Sequence, residues 1–134
     1  MREYLFRGKR LSDGKWCEGY LTVVFEHTYI VRANEDEICF GFLVDPETVG
    51  QFTGLTDKKG KKIFEGDILL INDAKEYPVY VSFTDFCFVC RSTKHRWYRN
   101  PLENRMQKHY EVIGNIHDNP ELLEVGKWTS LKCH

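Results

Sequence analysis

Cys87 and Cys90 stand three residues apart as C-x2-C, a spacing that serves zinc sites and dithiol redox centres. A zinc ribbon needs a second such pair, and Cys17, Cys39, His95 and His109 are not spaced to supply one. A redox dithiol wants a helix N-terminus, where the thiolate is stabilised. Here the pair falls in an expected strand, whose residues three apart face opposite sides. Buried or half-buried free thiols are the simpler expectation. His27, His95, His109, His117 and His134 lack i, i+3 or i, i+4 pairing, and no G-x-S-x-G, H-E-x-x-H or P-loop sequence occurs. Glu65 and Asp67 flank Gly66 and could form a carboxylate pair, but turn acids accepting neighbouring backbone N–H groups account for them more simply. No catalytic residue, metal ligand or cofactor site is expected, and the chain reads as a non-enzyme.

Two segments have the composition of a binding site instead. Arg91, Lys94, Arg96, Arg99, Arg105 and Lys108 face the single acid Glu103, with Trp97, Tyr98 and Tyr110 interleaved. Cations neutralise phosphates and aromatic faces stack on bases, so this is what a nucleic-acid site would use. The same residues also suit a long solvated hairpin loop whose aromatics pack back onto the domain. The second segment, Gly50-Gln51-Phe52-Thr53-Gly54, could present one aromatic on a flexible loop to a partner protein. Alternatively, Phe52 anchors a linker in the core while the glycines permit its bends.

The bulk numbers bound these readings. The chain's 134 residues allow one domain or two small lobes, and its 14% aromatic content supplies large units for a core. With 19 Lys and Arg against 20 Asp and Glu, no global attraction to nucleic acid or an anionic membrane is implied. No signal-peptide core or membrane-length apolar run is evident, and the five cysteines are odd in number and irregularly spaced. Reduced thiols in a cytoplasm are the expectation.

The elements that must position these groups are strands. Tyr4 to Arg7 opens the chain, Asp13-Gly14 turns it, and Trp16 to Phe25 runs on, with Gly19 marking a bulge or a close backbone contact. Tyr29 to Arg32 and Ile38 to Phe42 continue an N-terminal β-meander lobe over residues 1–47. Residues 48–66 form a glycine-rich connection. Ile68 to Ile71 is a continuous apolar run and should be a central strand. Tyr77 to Phe83 and Phe86 to Arg91 follow as a hairpin, and Tyr110 to Ile116 closes the set. Asn119-Pro120-Glu121 starts one short helix, with Asn119 as its cap. Residues 67–124 so described fit a small SH3-like barrel, and residues 125–134 a tail. The expected class is all-β.

A phrase recurs along this frame. Phe6-x-Gly8, Gly14-Lys15 and Glu18-Gly19 are echoed by Phe52-x-Gly54, Gly60-Lys61 and Glu65-Gly66, with one residue inserted. Together with Asp13-Gly14-Lys15-Trp16, Gly19-Tyr20, Val49 to Leu55, Asp57, Phe64 to Ile68 and Val112 to Ile116, the ordered set closely resembles the YopX protein family. The resemblance runs from about Tyr4 to Leu123. It implies a β-rich protein of phage or prophage origin, set in a bacterial cytoplasm, and brings no activity and no catalytic residues. The expected role is a non-catalytic accessory protein that binds a protein partner or itself through strand edges or exposed aromatics. The alternative is weak nucleic-acid binding through Arg91 to His109.

Overall fold

The computed structural model describes residues 4–34, 37–38, 41–71, 78–94 and 98–123, and divides into two compact units, Met1–Phe52 and Thr53–His134. In the first unit, β1 (Phe6–Lys9), β2 (Trp16–Val24) and β3 (His27–Val31) form an antiparallel meander. Gly14, at φ +72°, makes the β1–β2 turn, where Asp13 accepts the Lys15 N–H at 3.0 Å. Gly19 meets the expectation of a close contact: a Cβ there would lie 2.4 Å from the Val31 carbonyl oxygen. A two-residue hairpin, β4 (Ala33–Asn34) with β5 (Glu37–Ile38), precedes β6 (Phe42–Leu43), which pairs with β3. Asp45 then caps a 3-10 turn over Pro46–Thr48, accepting the Glu47 N–H at 3.0 Å.

Strand β7 (Gly50–Thr56) runs through the glycine-rich segment. Its first residues pair with β1, so hydrogen-bonded neighbours in this unit run β6-β3-β2-β1-β7. Cys17, Ile30 and Val44 are buried at its centre, with Phe6, Phe42 and Val49 packed around them.

Past Phe52, the second half of β7 pairs with β8 (Lys62–Phe64) inside the second unit. There β9 (Asp67–Ile71), β10 (Val79–Thr84), β11 (Cys87–Arg91), β12 (Arg99–Pro101) and β13 (Tyr110–Asn115) form an antiparallel sheet in the order β12-β11-β10-β9-β13. The central place expected for the apolar run is confirmed: β9 has partners on both sides, and Ile68 and Leu69 have no exposed surface. Leu69 packs in one core with Val79, Val81, Cys90, Ile63 and Tyr110.

The SH3-like barrel expected from the strand sequence does not form, because neither sheet closes on itself. The late strand β13 pairs with β9, and its other edge is taken by the β7–β8 loop. Lys58 donates its N–H to the Tyr110 carbonyl at 2.9 Å, and Val112 donates to the Asp57 carboxylate at 3.0 Å. At the opposite end β12 has only three exposed residues and ends in Pro101, which has no N–H to extend a ladder. The fold is all-β with open antiparallel sheets. The expected C-terminal helix is a single 3-10 turn, Pro120–Leu123, and the Asn119 side chain reaches back to the Asn115 N–H at 3.2 Å rather than capping it. The expected tail lies outside the described residues.

Candidate functional site

Of the basic and aromatic segment, Arg96 and Trp97 lie outside the described residues. Tyr98 is half-buried and packs against the core of the second unit with Leu102 and Met106. Arg91 and Arg99 face each other across β11 and β12, a repulsive placement. Arg99 is relieved by Asp85, at 2.7 Å. Arg105 is paired with Glu103 at 2.6 Å. Lys94 and Lys108 are exposed. Arg99 and Arg105 are thus each paired with one carboxylate, and the described aromatics turn inward.

The segment from Gly50 to Gly54 lies in a strand. Gly50 and Gln51 pair with Arg7 and Phe6, and Phe52 is 7% exposed with its N–H donated to the Leu5 carbonyl at 2.7 Å. The Thr53 hydroxyl donates to the Ile63 carbonyl at 2.7 Å, and Gly54 turns at φ +88°.

The thiols behave as strand alternation requires: Cys87 is exposed and Cys90 is buried on the other face. Burial pushes the Cys90 thiol up to about 12, so it is a neutral packing group at ordinary pH. Among the described residues, no three His, Cys, Asp or Glu side chains converge as a metal site would need. Asp67 is the turn acid expected, 1% exposed and accepting the Phe64 N–H at 2.8 Å.

Asp57 is a stronger example that sequence reasoning missed. Its carboxylate accepts N–H groups from Lys59 and Lys61, both at 2.9 Å, and from Val112. Desolvation alone would raise its pKa, but these bonds and the nearby Lys61 charge hold it below the usual carboxylate range.

A run of exposed apolar residues was also missed. Tyr20, Leu21, Val23, Val24 and Phe25 are all exposed, and Phe25 is 91% so. They form the outer half of the β2–β3 hairpin, where β1 has ended: its last partner on β2 is Gly19. Alternate residues point to opposite faces, so Val23 and Val24 leave both sides of this arm apolar. The only signal in the sequence was the uncharged run Leu21-Thr22-Val23-Val24-Phe25, which reads equally well as an interior strand. At the arm's tip Phe25 and Glu26 both take positive φ, the geometry of a type I′ turn. The β10–β11 hairpin has a similar tip, with Asp85 and Phe86 at positive φ and Phe86 96% exposed.

The same architecture occurs in solved structures. Protein EF1440 from Enterococcus faecalis is 27% identical and superposes with a TM-score of 0.60, the match covering 92% of this chain and 100% of that one. Protein yopX from Bacillus subtilis, at 19% identity, gives a TM-score of 0.55 with 92% and 98% covered. No curated protein matches. The YopX protein family itself matches residues 5–124. From the turn motifs through the strand order to this match, the chain belongs to the YopX protein family, a phage and prophage group with no assigned activity.

Proposed function

We propose that the protein is a non-catalytic module that associates with a second copy of itself through the β2 edge from Leu21 to Val24. The observation that carries this reading is the edge from Leu21 to Val24. Among the described residues it has no strand partner on its outer side, and its side chains are apolar on both faces. Exposed edges are ordinarily protected by charge, proline or a bulge, and this one has none of them. A flat partner surface would cover only one face of the arm. Antiparallel pairing of β2 with its two-fold copy satisfies the backbone edge and lets each arm lie against the other, the self-complementary contact that two-fold symmetry generates.

Sedimentation velocity over a concentration series tests the proposal. The expected result is a reversible dimer for the native chain and a monomer for Val23→Lys, which places a charge at a position already 63% exposed and so leaves the fold intact. A native chain that stays monomeric throughout, or a Val23→Lys variant that dimerises as well as the native chain, overturns it.

A further inference from the structure

A cavity of about 310 Å³ opens in the second unit, where the sheet fails to close on itself. Its walls come from β9, β11, β12, the segment after β12 and the start of β13. The size is at the lower end of the range for small-molecule pockets, roughly 300 to 1,000 Å³, and suits one or two fused rings rather than a bare inorganic ion.

Donors outnumber acceptors among the polar groups lining it. Tyr110 is 2% exposed, and its phenol oxygen accepts the Glu103 N–H at 3.1 Å, leaving its own hydrogen to be donated. Burial raises the Tyr110 pKa, so the hydrogen is retained at physiological pH. At the mouth, Arg105 uses Nε to hold the Glu103 carboxylate, and its terminal nitrogens remain as donors. Asn100 adds an exposed side-chain amide. Deeper in, Cys90 and Met106 are apolar and polarisable, the surface on which a ring packs well. Glu103, the single carboxylate in the lining, is already engaged by Arg105.

We propose that this cavity binds a small planar organic anion of the aromatic carboxylate class, its ring between Cys90, Met106 and Tyr110 and its carboxylate at the mouth against Arg105. The Arg105 fork supplies the charge-assisted bonds and the Tyr110 hydroxyl a further donor. The site is independent of the β2 edge, which lies in the other unit, so one proposal can fail without the other.

The test uses 1-naphthoate and the neutral 1-naphthalenemethanol as probes, titrated into the full chain and followed by amide chemical shifts. Naphthoate is expected to bind roughly tenfold more tightly than the alcohol, the gain of one charge-assisted contact. Arg105→Gln, at a side chain 81% exposed, should leave the spectrum folded and bring the two probes close to equal affinity. Met106→Trp should fill the cavity and remove both interactions. Absence of saturable shifts with naphthoate overturns the proposal. So does binding that keeps its preference for the acid in Arg105→Gln, whether or not Met106→Trp folds.

Discussion

Replacing Asp57 with alanine should cost the second unit a large part of its stability. Its carboxylate accepts three backbone N–H bonds at 2.9, 2.9 and 3.0 Å, two closing the β7–β8 loop and the third fixing that loop to β13. Bonds to a charged acceptor contribute about 1.5–3 kcal/mol each, which sets a ceiling of roughly 5–9 kcal/mol for the three. Lys59 and Lys61 are exposed, so their N–H groups regain water once the carboxylate is gone. Val112 is half-buried in β13 and recovers less. The expected loss is therefore about 3 kcal/mol, or a fall on the order of 10 °C in Tm. Asn in its place keeps one oxygen acceptor and should lose about half as much.

The effect of Asp57 depends on pH in a defined direction. Its folded pKa lies below the ordinary value, so its contribution is complete above the unfolded carboxylate pKa of about 3.9 and is lost as pH falls through the folded value. The gap between native and Asp57→Ala proteins should stay constant near neutrality and narrow below about pH 4. Urea unfolding followed by far-ultraviolet circular dichroism measures the gap, and hydrogen exchange at the Val112 amide reports the third bond directly. A difference under about 0.5 kcal/mol at neutral pH, with Val112 still protected, would refute the reasoning.

Two further substitutions test the backbone geometry of the hairpins. Gly19→Ala places a Cβ against the Val31 carbonyl, a backbone atom that cannot step aside, and should destabilise the first unit by about 2 kcal/mol or more in a thermal melt; a melt equal to the native one would mean β2 and β3 separate freely there. Phe86→Gly should stabilise by about 1 kcal/mol, because it relieves a bulky residue at φ +66° and creates the Asp-Gly pair favoured in type I′ turns. Chemical denaturation checks this, and a loss of stability would show that the exposed ring packs more than its surface suggests.

Strand periodicity was legible wherever one face of a strand is buried. Val79 and Val81 alternate as expected, and Ile68 and Leu69 mark an interior strand. Phe83 breaks the alternation, 46% exposed beside Phe88 with ring centroids 5.0 Å apart, because its hairpin projects beyond the covered part of the sheet. Strand β7 was hidden by composition: glycines usually mark bends, yet Gly50 lies in a ladder beside Arg7. Barrel closure was illegible for a different reason. Whether β13 meets β12 depends on what else reaches its edge, and that competitor is the Asp57 loop, far away in sequence. The arm and the cavity depend likewise on where neighbouring strands end, which local pattern does not encode.

The repeated glycine phrase now separates folding from function. Gly14 and Gly60 are true equivalents, both left-handed turn residues at φ +72° and +83°. Gly19 and Gly66 are not: the first is a strand residue pressed against Val31, the second a turn residue at φ +92°. With Asp57, Phe52 and Asp67, these motif residues are committed to turns, ladders and the core. The β2 edge from Leu21 to Phe25 and the cavity residues Cys90, Asn100, Arg105, Met106 and Tyr110 all lie outside the motif. A substitution within the motif should therefore weaken dimerisation and anion binding only in proportion to the protein it unfolds. Val23→Lys and Arg105→Gln should each remove one property from a chain that remains folded. If Gly19→Ala or Asp57→Asn abolished either property in protein shown to be folded, the motif itself would belong to a site, and the division drawn between architecture and interaction surface would fail.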